Sequence, residues 1–141
     1  MARYTTTIES SLTPDEAFAY MADFSHAQEW DPSVAEAKRL GDVGADAAFD
    51  LVVRFGGRKL PMRYQTAAFD AEQRRVVLQA DNPRFTSRDT ITVTPAPAGS
   101  SVHYDAALDL RRGRLLDPVL QLLFNRTGDK AAAGMRKALN P

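Results

Sequence analysis

Three side chains in this sequence have both the type and the setting to do chemistry: Asp89, Tyr64 and Tyr104. Asp89 lies in FTSRDTITVT, where alternation places it on one face with Phe85, Ser87, Ile91 and Val93. A carboxylate on such a face must find a partner, or desolvation raises its pKa, which is how a general acid or base is made. An arginine partner, or a strand slip that turns it outward, would leave it without that role. Tyr64 and Tyr104 also fall on apolar faces, and each phenol can donate to a ligand carbonyl, stabilising an enolate or anchoring the ligand. The competing reading of both is a core tyrosine with a satisfied hydroxyl. His26 and His103 have no ligand-like spacing around them, so no metal site is expected. His103 alternates onto the outer face, whereas His26 sits in a short helical stretch near the expected cavity mouth. The chain has no cysteine, which removes disulfides, thiol catalysis and thiolate-held metals. No cofactor is expected.

Bulk properties narrow the class further. With 141 residues, the chain suits one domain over 1–141, large enough to bury a core without staples. Its formal net charge is zero, so there is no electrostatic case for nucleic acid or an acidic membrane surface. The opening MARYTTTIES lacks an apolar signal core, and no run approaches a membrane span, so a cytoplasmic location is expected. The triplet Asn125-Arg126-Thr127 fits a glycosylation acceptor, but it falls inside an expected helix of an unsecreted chain and is discounted.

The elements that must position these groups follow from periodicity. Tyr4, Thr6 and Ile8 alternate with Thr5, Thr7 and Glu9, a first strand. Thr13-Pro14-Asp15-Glu16 combines a capping box with proline at the first helical position, and Ala17, Phe18, Met21 and Phe24 give the helix its apolar face. Ser25 and Gln28 suggest a second capping box on a short helix, SHAQEW, ending at Asp31-Pro32. Val34 to Leu40 reads as a strand. AFDLVVRF-GG-RKLPMRYQTAAF reads as a hairpin turning on Gly56-Gly57. That turn pairs Phe55 with Arg58, Val53 with Leu60, Leu51 with Met62 and Phe49 with Tyr64, and sets Asp50 opposite Arg63. Pro61 is tolerable there only if the next strand has ended beside it. Strands follow at Val76–Ala80, Phe85–Thr94 and Ser101–Leu110, the last two joined by PAPAGS. Arg54, Arg63, Arg88 and Arg111 then share the outer face with Asp50, Asp105 and Asp109, a solvated, salt-bridged surface.

The last stretch, about Leu115 to Leu139, is the one long segment with helical periodicity. Leu116, Leu120, Leu123, Phe124, Thr127, Ala131, Met135 and Ala138 form its stripe, and Asp117-Pro118 its start. Gly128 and Gly134 inside it call for close packing or a bend. The order is strand, two short helices, six antiparallel strands, long helix. It gives an α+β fold in which a curved seven-stranded antiparallel sheet wraps the final helix and encloses space beside it. Wall candidates are Phe49, Leu51, Val53, Met62, Tyr64, Leu78, Phe85, Ile91, Tyr104, Ala106 and Leu108, with Leu120, Phe124, Thr127 and Met135 from the helix. Trp30 reads either as a lid over the mouth or as an anchor for the short helix.

The segment IESSLTPDEAFAYMADFSHAQEWDPSV and the ending SSVHYDAALDLRRGRLLDPVLQLLFNRTGDKAAAGMRKAL resemble the SRPBCC superfamily (START-like, birch-pollen-allergen-like). The motifs are T-P-x-E-x-F at the first helix, Trp30 before Asp31-Pro32-Ser33, and Gly113, Leu115, Leu116 and Pro118 leading into the last helix. The resemblance covers essentially the whole chain and is strongest to small bacterial proteins labelled polyketide cyclase/dehydrase or lipid-transport-like. It implies a helix-grip fold with an apolar cavity between sheet and last helix. The superfamily spans carriers, sensors, cyclases, toxins and oxygenase subunits, so the fold alone does not give the function. Without cysteine the chain cannot hold a Rieske cluster, and no signature of the aromatic polyketide cyclases stands out.

Together these readings lead to an apolar small-molecule binder for a lipid, quinone or polyketide-like compound, acting as monomer or homodimer without nucleic acid or membrane insertion. The alternatives are a cyclase or dehydratase using Asp89 with Tyr64 or Tyr104, and an interaction module whose cavity is filled.

Overall fold

The Gly56-Gly57 turn decides how half of the sheet is laid out. Both glycines hold positive φ, +59° and +78°, the mirror-image turn whose twist suits two right-twisted strands. In this computed structural model, which describes residues 1–141 apart from the side chain at position 114, the turn joins β3 (Ala48–Phe55) to β4 (Arg58–Asp70). The pairs Phe55–Arg58, Val53–Leu60, Leu51–Met62 and Phe49–Tyr64 form as the turn dictates. Opposite Asp50, Arg63 donates two bonds of 2.6 and 2.8 Å to the carboxylate. Both partners are exposed, so the pair serves register more than stability. Pro61 is accommodated because pairing with β5 (Arg75–Asp81) begins only at Gln65–Gln79.

The other strands are β1 (Ala2–Ser10), β2 (Val34–Leu40), β6 (Phe85–Ala96) and β7 (Gly99–Leu110). The seven run antiparallel in the order β1-β7-β6-β5-β4-β3-β2, so the last strand returns to pair with the first. β6 and β7 are longer than the alternation suggests. The PAPAGS joint shrinks to a Pro97-Ala98 turn, with Gly99 at φ +144° against the backbone of Ser10 and Leu12.

Two short helices follow β1. The capping box on α1 (Pro14–Ala22) forms in full: Glu16 N donates to Thr13 Oγ1 at 3.2 Å, and Thr13 N to Glu16 Oε1 at 3.0 Å. The second box, expected between Ser25 and Gln28, does not form. Asp23 caps the 3₁₀ turn Phe24–His26 instead, accepting from Ser25 N at 3.1 Å, while Gln28 Oε1 accepts from Ala37 N of β2. A carboxylate two residues ahead of Ser25 is the better acceptor, and it is held there by Arg39 at 2.6 Å. Helix α2 (Ala27–Trp30) follows directly and ends at Asp31.

The final helix, α3 (Asp117–Ala138), is preceded by a 3₁₀ turn, Arg114–Leu116, and runs without interruption past both glycines. They mark close approach: a methyl group on Gly128 would strike the Tyr4 ring of β1, and one on Gly134 the carbonyl of Trp30. The second half of α3 is therefore pinned, with Ala131, Ala132, Met135 and Leu139 buried. Its first half is not. Leu116, just ahead of the helix, is 61% exposed and Leu123 within it 39%, so neither faces the sheet as the stripe implies. Only Leu120 is buried there, with Phe124 half-buried beside it. This part of the helix stands over open space rather than over packed side chains. Among the described residues, no helix is long and apolar enough to cross a membrane.

Candidate functional site

Beneath the first half of α3 lies a cavity of about 290 Å³, near the lower end of the range for small-molecule sites. Leu51, Val53, Met62, Phe85, Ala106 and Leu108 form most of the sheet wall, and Leu120, Phe124, Thr127, Gly128 and Ala131 the helix wall. Phe55, Leu60, Arg84 and Leu110 line it toward the end where the hairpin and the β5–β6 loop meet.

The opposite end is polar. Tyr64, Ser87, Asp89 and Tyr104 reach it from β4, β6 and β7, and Asp31 and Ser33 from the segment after α2. Asp89 faces inward as the alternation requires and is 5% exposed. Its Oδ2 accepts from Tyr104 OH at 2.6 Å. The register explains the contact, because Asp89 pairs with Ala106 and Ile91 with Tyr104, making Asp89 and Tyr104 diagonal neighbours on one face. Tyr64 reaches past β5 to Ser87, with the two hydroxyls 3.0 Å apart. The intervening residue is Ala80, opposite Ser87, whose small side chain leaves that path clear. Asp31 folds back on its own loop and accepts from Ser33 N at 2.9 Å and Ser33 Oγ at 2.7 Å through Oδ1.

Burial dominates the electrostatics of this cluster. It pushes the Asp89 carboxyl up to about 7, with the Tyr104 bond opposing and the negative charges of Asp31 and Asp105 adding. Asp31 is raised for the same reason, against the two bonds from Ser33. Tyr104 and Tyr64 are both raised, by burial first and by the charge of Asp89 second, so both phenols stay protonated. The end of the cavity thus holds a carboxyl that exchanges its proton near neutral pH, beside a phenol that does not.

Of the expected wall residues, Leu51, Val53, Met62, Tyr64, Phe85, Tyr104, Ala106, Leu108, Leu120, Phe124 and Thr127 line the cavity. Phe49, Leu78, Ile91 and Met135 do not. They are fully buried and fill the core beyond the cavity's inner end, because side chains from α1, α2 and the far half of α3 cover that part of the sheet. Trp30 is no lid. It is 1% exposed and meets the rings of Tyr104 and Phe24 edge-on, at 5.5 and 6.0 Å. It is an anchor that also braces Tyr104. His26 stacks on Tyr20 at 4.5 Å, with Nδ1 2.8 Å from the Tyr20 carbonyl oxygen, away from the cavity. His103 is on the outer face, 3.0 Å from Thr7 Oγ1. Among the described residues no cluster of acidic and histidine side chains is arranged to hold a metal ion. The lining residues missed include Val34, Phe55, Leu60, Arg84, Leu110, Gly128 and Ala131 on the walls and, at the polar end, Tyr4, Phe24, Asp31, Ser33 and Ser87. Ser87 shares the parity of Asp89, whereas nothing in the local pattern turns Asp31 and Ser33 inward.

The family and the fold recur among known proteins. The family model described as polyketide cyclase/dehydrase and lipid transport matches residues 1–140. The chain belongs to that family. Its START-like fold recurs in a Thermus thermophilus protein at 18% identity and TM-score 0.79, over 98% of this chain and 95% of that one. A START superfamily protein from Mycobacterium smegmatis aligns at 14% identity and TM-score 0.77, over 99% and 97%. The Zhui aromatase/cyclase of a Streptomyces species aligns at 11% and 0.78, over 98% and 92%. At these identities the likeness is one of fold. No curated protein matches the sequence significantly.

Proposed function

We propose that this chain binds an apolar small molecule between the sheet and α3, in the class of lipids, quinones or polyketide-like compounds. The observation that carries this reading is the cavity itself: mostly apolar walls from six strands and a helix, with both carboxyls gathered at one end and a single arginine at the other. Such a site takes up a hydrophobic body by desolvation and orients it through a few hydrogen bonds. Trp30 is the only tryptophan and touches Tyr104, so its fluorescence reports on the cavity end. Titration with aromatic alcohols of graded chain length is expected to change that fluorescence saturably and raise the melting temperature. If no apolar compound does either, the reading fails.

A second reading has support from one specific contact, the bond between Tyr104 and a buried carboxyl that titrates near 7. On a bound β-keto chain, Asp89 and a tyrosine would serve as the proton-transfer groups of a cyclase or dehydratase. In that case the Asp89→Asn variant loses turnover of a β-keto thioester.

A further inference from the structure

The inner end of the cavity is rich in acceptors and poor in donors. Asp89 has one oxygen bonded to Tyr104, and Asp31 has one bonded to Ser33; among the described residues no side chain donates to Asp89 Oδ1 or Asp31 Oδ2. Tyr104 has already committed its proton to Asp89. Tyr64 and Ser87 share one bond between two hydroxyls, which leaves a single spare proton for a ligand. The one cation on the described lining is Arg84, and it lies at the other end. It stands five residues from Asp89 along the strand direction, about 17 Å at the rise of an extended chain.

Two carboxyls facing one space, with no lysine, arginine or histidine on the described lining beside them, leave a charge unanswered once they ionise. We propose that the buried end of the ligand is a cation, an ammonium group on an aromatic or alkyl body, seated between Asp31 and Asp89 among the rings of Phe24, Tyr64 and Tyr104. This rests on the reading that the cavity binds an apolar molecule. An ammonium brings the donors that the site lacks, and each N–H to a carboxylate oxygen is a charge-assisted bond. The rings add cation–π attraction in a desolvated setting. A carbonyl head would need donors, and once Asp89 ionises the site offers only the one spare hydroxyl proton.

The pH dependence follows from the groups around Asp89. Tyr104 and, on the outer side, Asp105 come from β7, Tyr64 from β4 and Asp31 from the loop after α2. From β5 the inward neighbours are Val76, Leu78 and Ala80, and the α3 lining is Leu120, Phe124, Thr127, Gly128 and Ala131, none of them titratable. An alkylamine keeps its charge until about pH 10, so its affinity rises as Asp89 ionises.

The test uses three molecules of nearly one shape: phenylbutylamine, phenylbutanol and phenylbutyrate. Their dissociation constants are measured by calorimetry on the full chain. At about pH 8 the amine is expected to bind at least about tenfold tighter than the alcohol, with the carboxylate weakest. The amine-to-alcohol ratio should shrink several-fold at about pH 5.5, and in Asp89→Asn at either pH. Asp31→Asn should lower the same ratio and serves if the first variant does not fold. Equal amine and alcohol affinities at about pH 8, or tightest binding by the carboxylate, overturn the cation proposal while leaving the apolar binder standing. If none of the three binds, both fall.

Discussion

The buried carboxyl of Asp89 makes a sharp thermodynamic prediction for the ligand-free protein. Its folded-state pKa is raised to about 7 from an ordinary 3.8, so the folded chain holds this proton more tightly than the unfolded chain. Stability changes with pH in proportion to the protons bound by the unfolded state minus those bound by the folded state. Between about pH 4 and 7 that difference is one proton in favour of the folded state, so stability falls as pH rises. The slope is about 1.4 kcal/mol per pH unit and the total roughly 4 kcal/mol. Below the ordinary value both states are protonated and the effect vanishes; above about 7 both are ionised and it stays constant. Asparagine keeps the shape and still accepts from Tyr104, but has no proton to exchange. The stability difference between Asp89→Asn and the parent is therefore expected to grow by roughly 4 kcal/mol in the variant's favour between about pH 4 and 8. Urea unfolding at each pH, followed by far-ultraviolet circular dichroism, reads this difference. Any constant cost of the amide cancels in the comparison. A difference that does not change with pH, or one that moves against the variant as pH rises, would refute the reasoning that Asp89 is desolvated and without a cationic partner.

Other outcomes test the packing and the cavity. Gly134→Ala should destabilise by about 1 to 3 kcal/mol despite the better helix propensity of alanine, because the new methyl meets the Trp30 carbonyl; the urea midpoint should fall with the slope unchanged. Ala106→Phe places a ring in the space beside Asp89 and should weaken phenylbutanol binding at least about tenfold while changing the melting temperature little. Thr13→Ala removes the α1 cap and should cost about 1 kcal/mol in the same unfolding assay. Asp50 is held below the ordinary carboxylate value, first by its bond to Arg63, so its contribution is present above that value and lost as pH falls through the lowered one. Asp50→Asn should change the acid limb of the stability profile slightly, in the sense opposite to Asp89→Asn.

How far the sequence reached depended on which contacts are local. The Gly56-Gly57 hairpin was legible pair by pair, because a two-residue turn fixes register by counting. Asp89 was legible as an inward carboxylate from parity alone. Its bond to Tyr104 was not, since that needs the β6–β7 register, and PAPAGS does not declare that its turn is only Pro97-Ala98. Helical periodicity located α3 but could not separate its two halves. A stripe of leucines looks the same whether it packs, like Met135, or stands beside a cavity with its flanks in solvent, like Leu116 and Leu123. Gly128 and Gly134 carried the missing signal, as each marks where the helix touches Tyr4 or Trp30. Asp31 and Ser33 enter the site through a loop whose course is set by α2 docking against α3, a tertiary fact with no local pattern. The same docking makes Trp30 an anchor rather than a lid.

The central claim, that the space under α3 holds an apolar ligand with its head at Asp31 and Asp89, is tested most directly by amide NMR during titration with phenylbutylamine. The shifts are expected to concentrate on Leu51, Met62, Tyr64, Asp89, Tyr104, Phe124 and Thr127 and to saturate together. Shifts confined to the outer face of the sheet, or none at concentrations that saturate comparable sites, would contradict it.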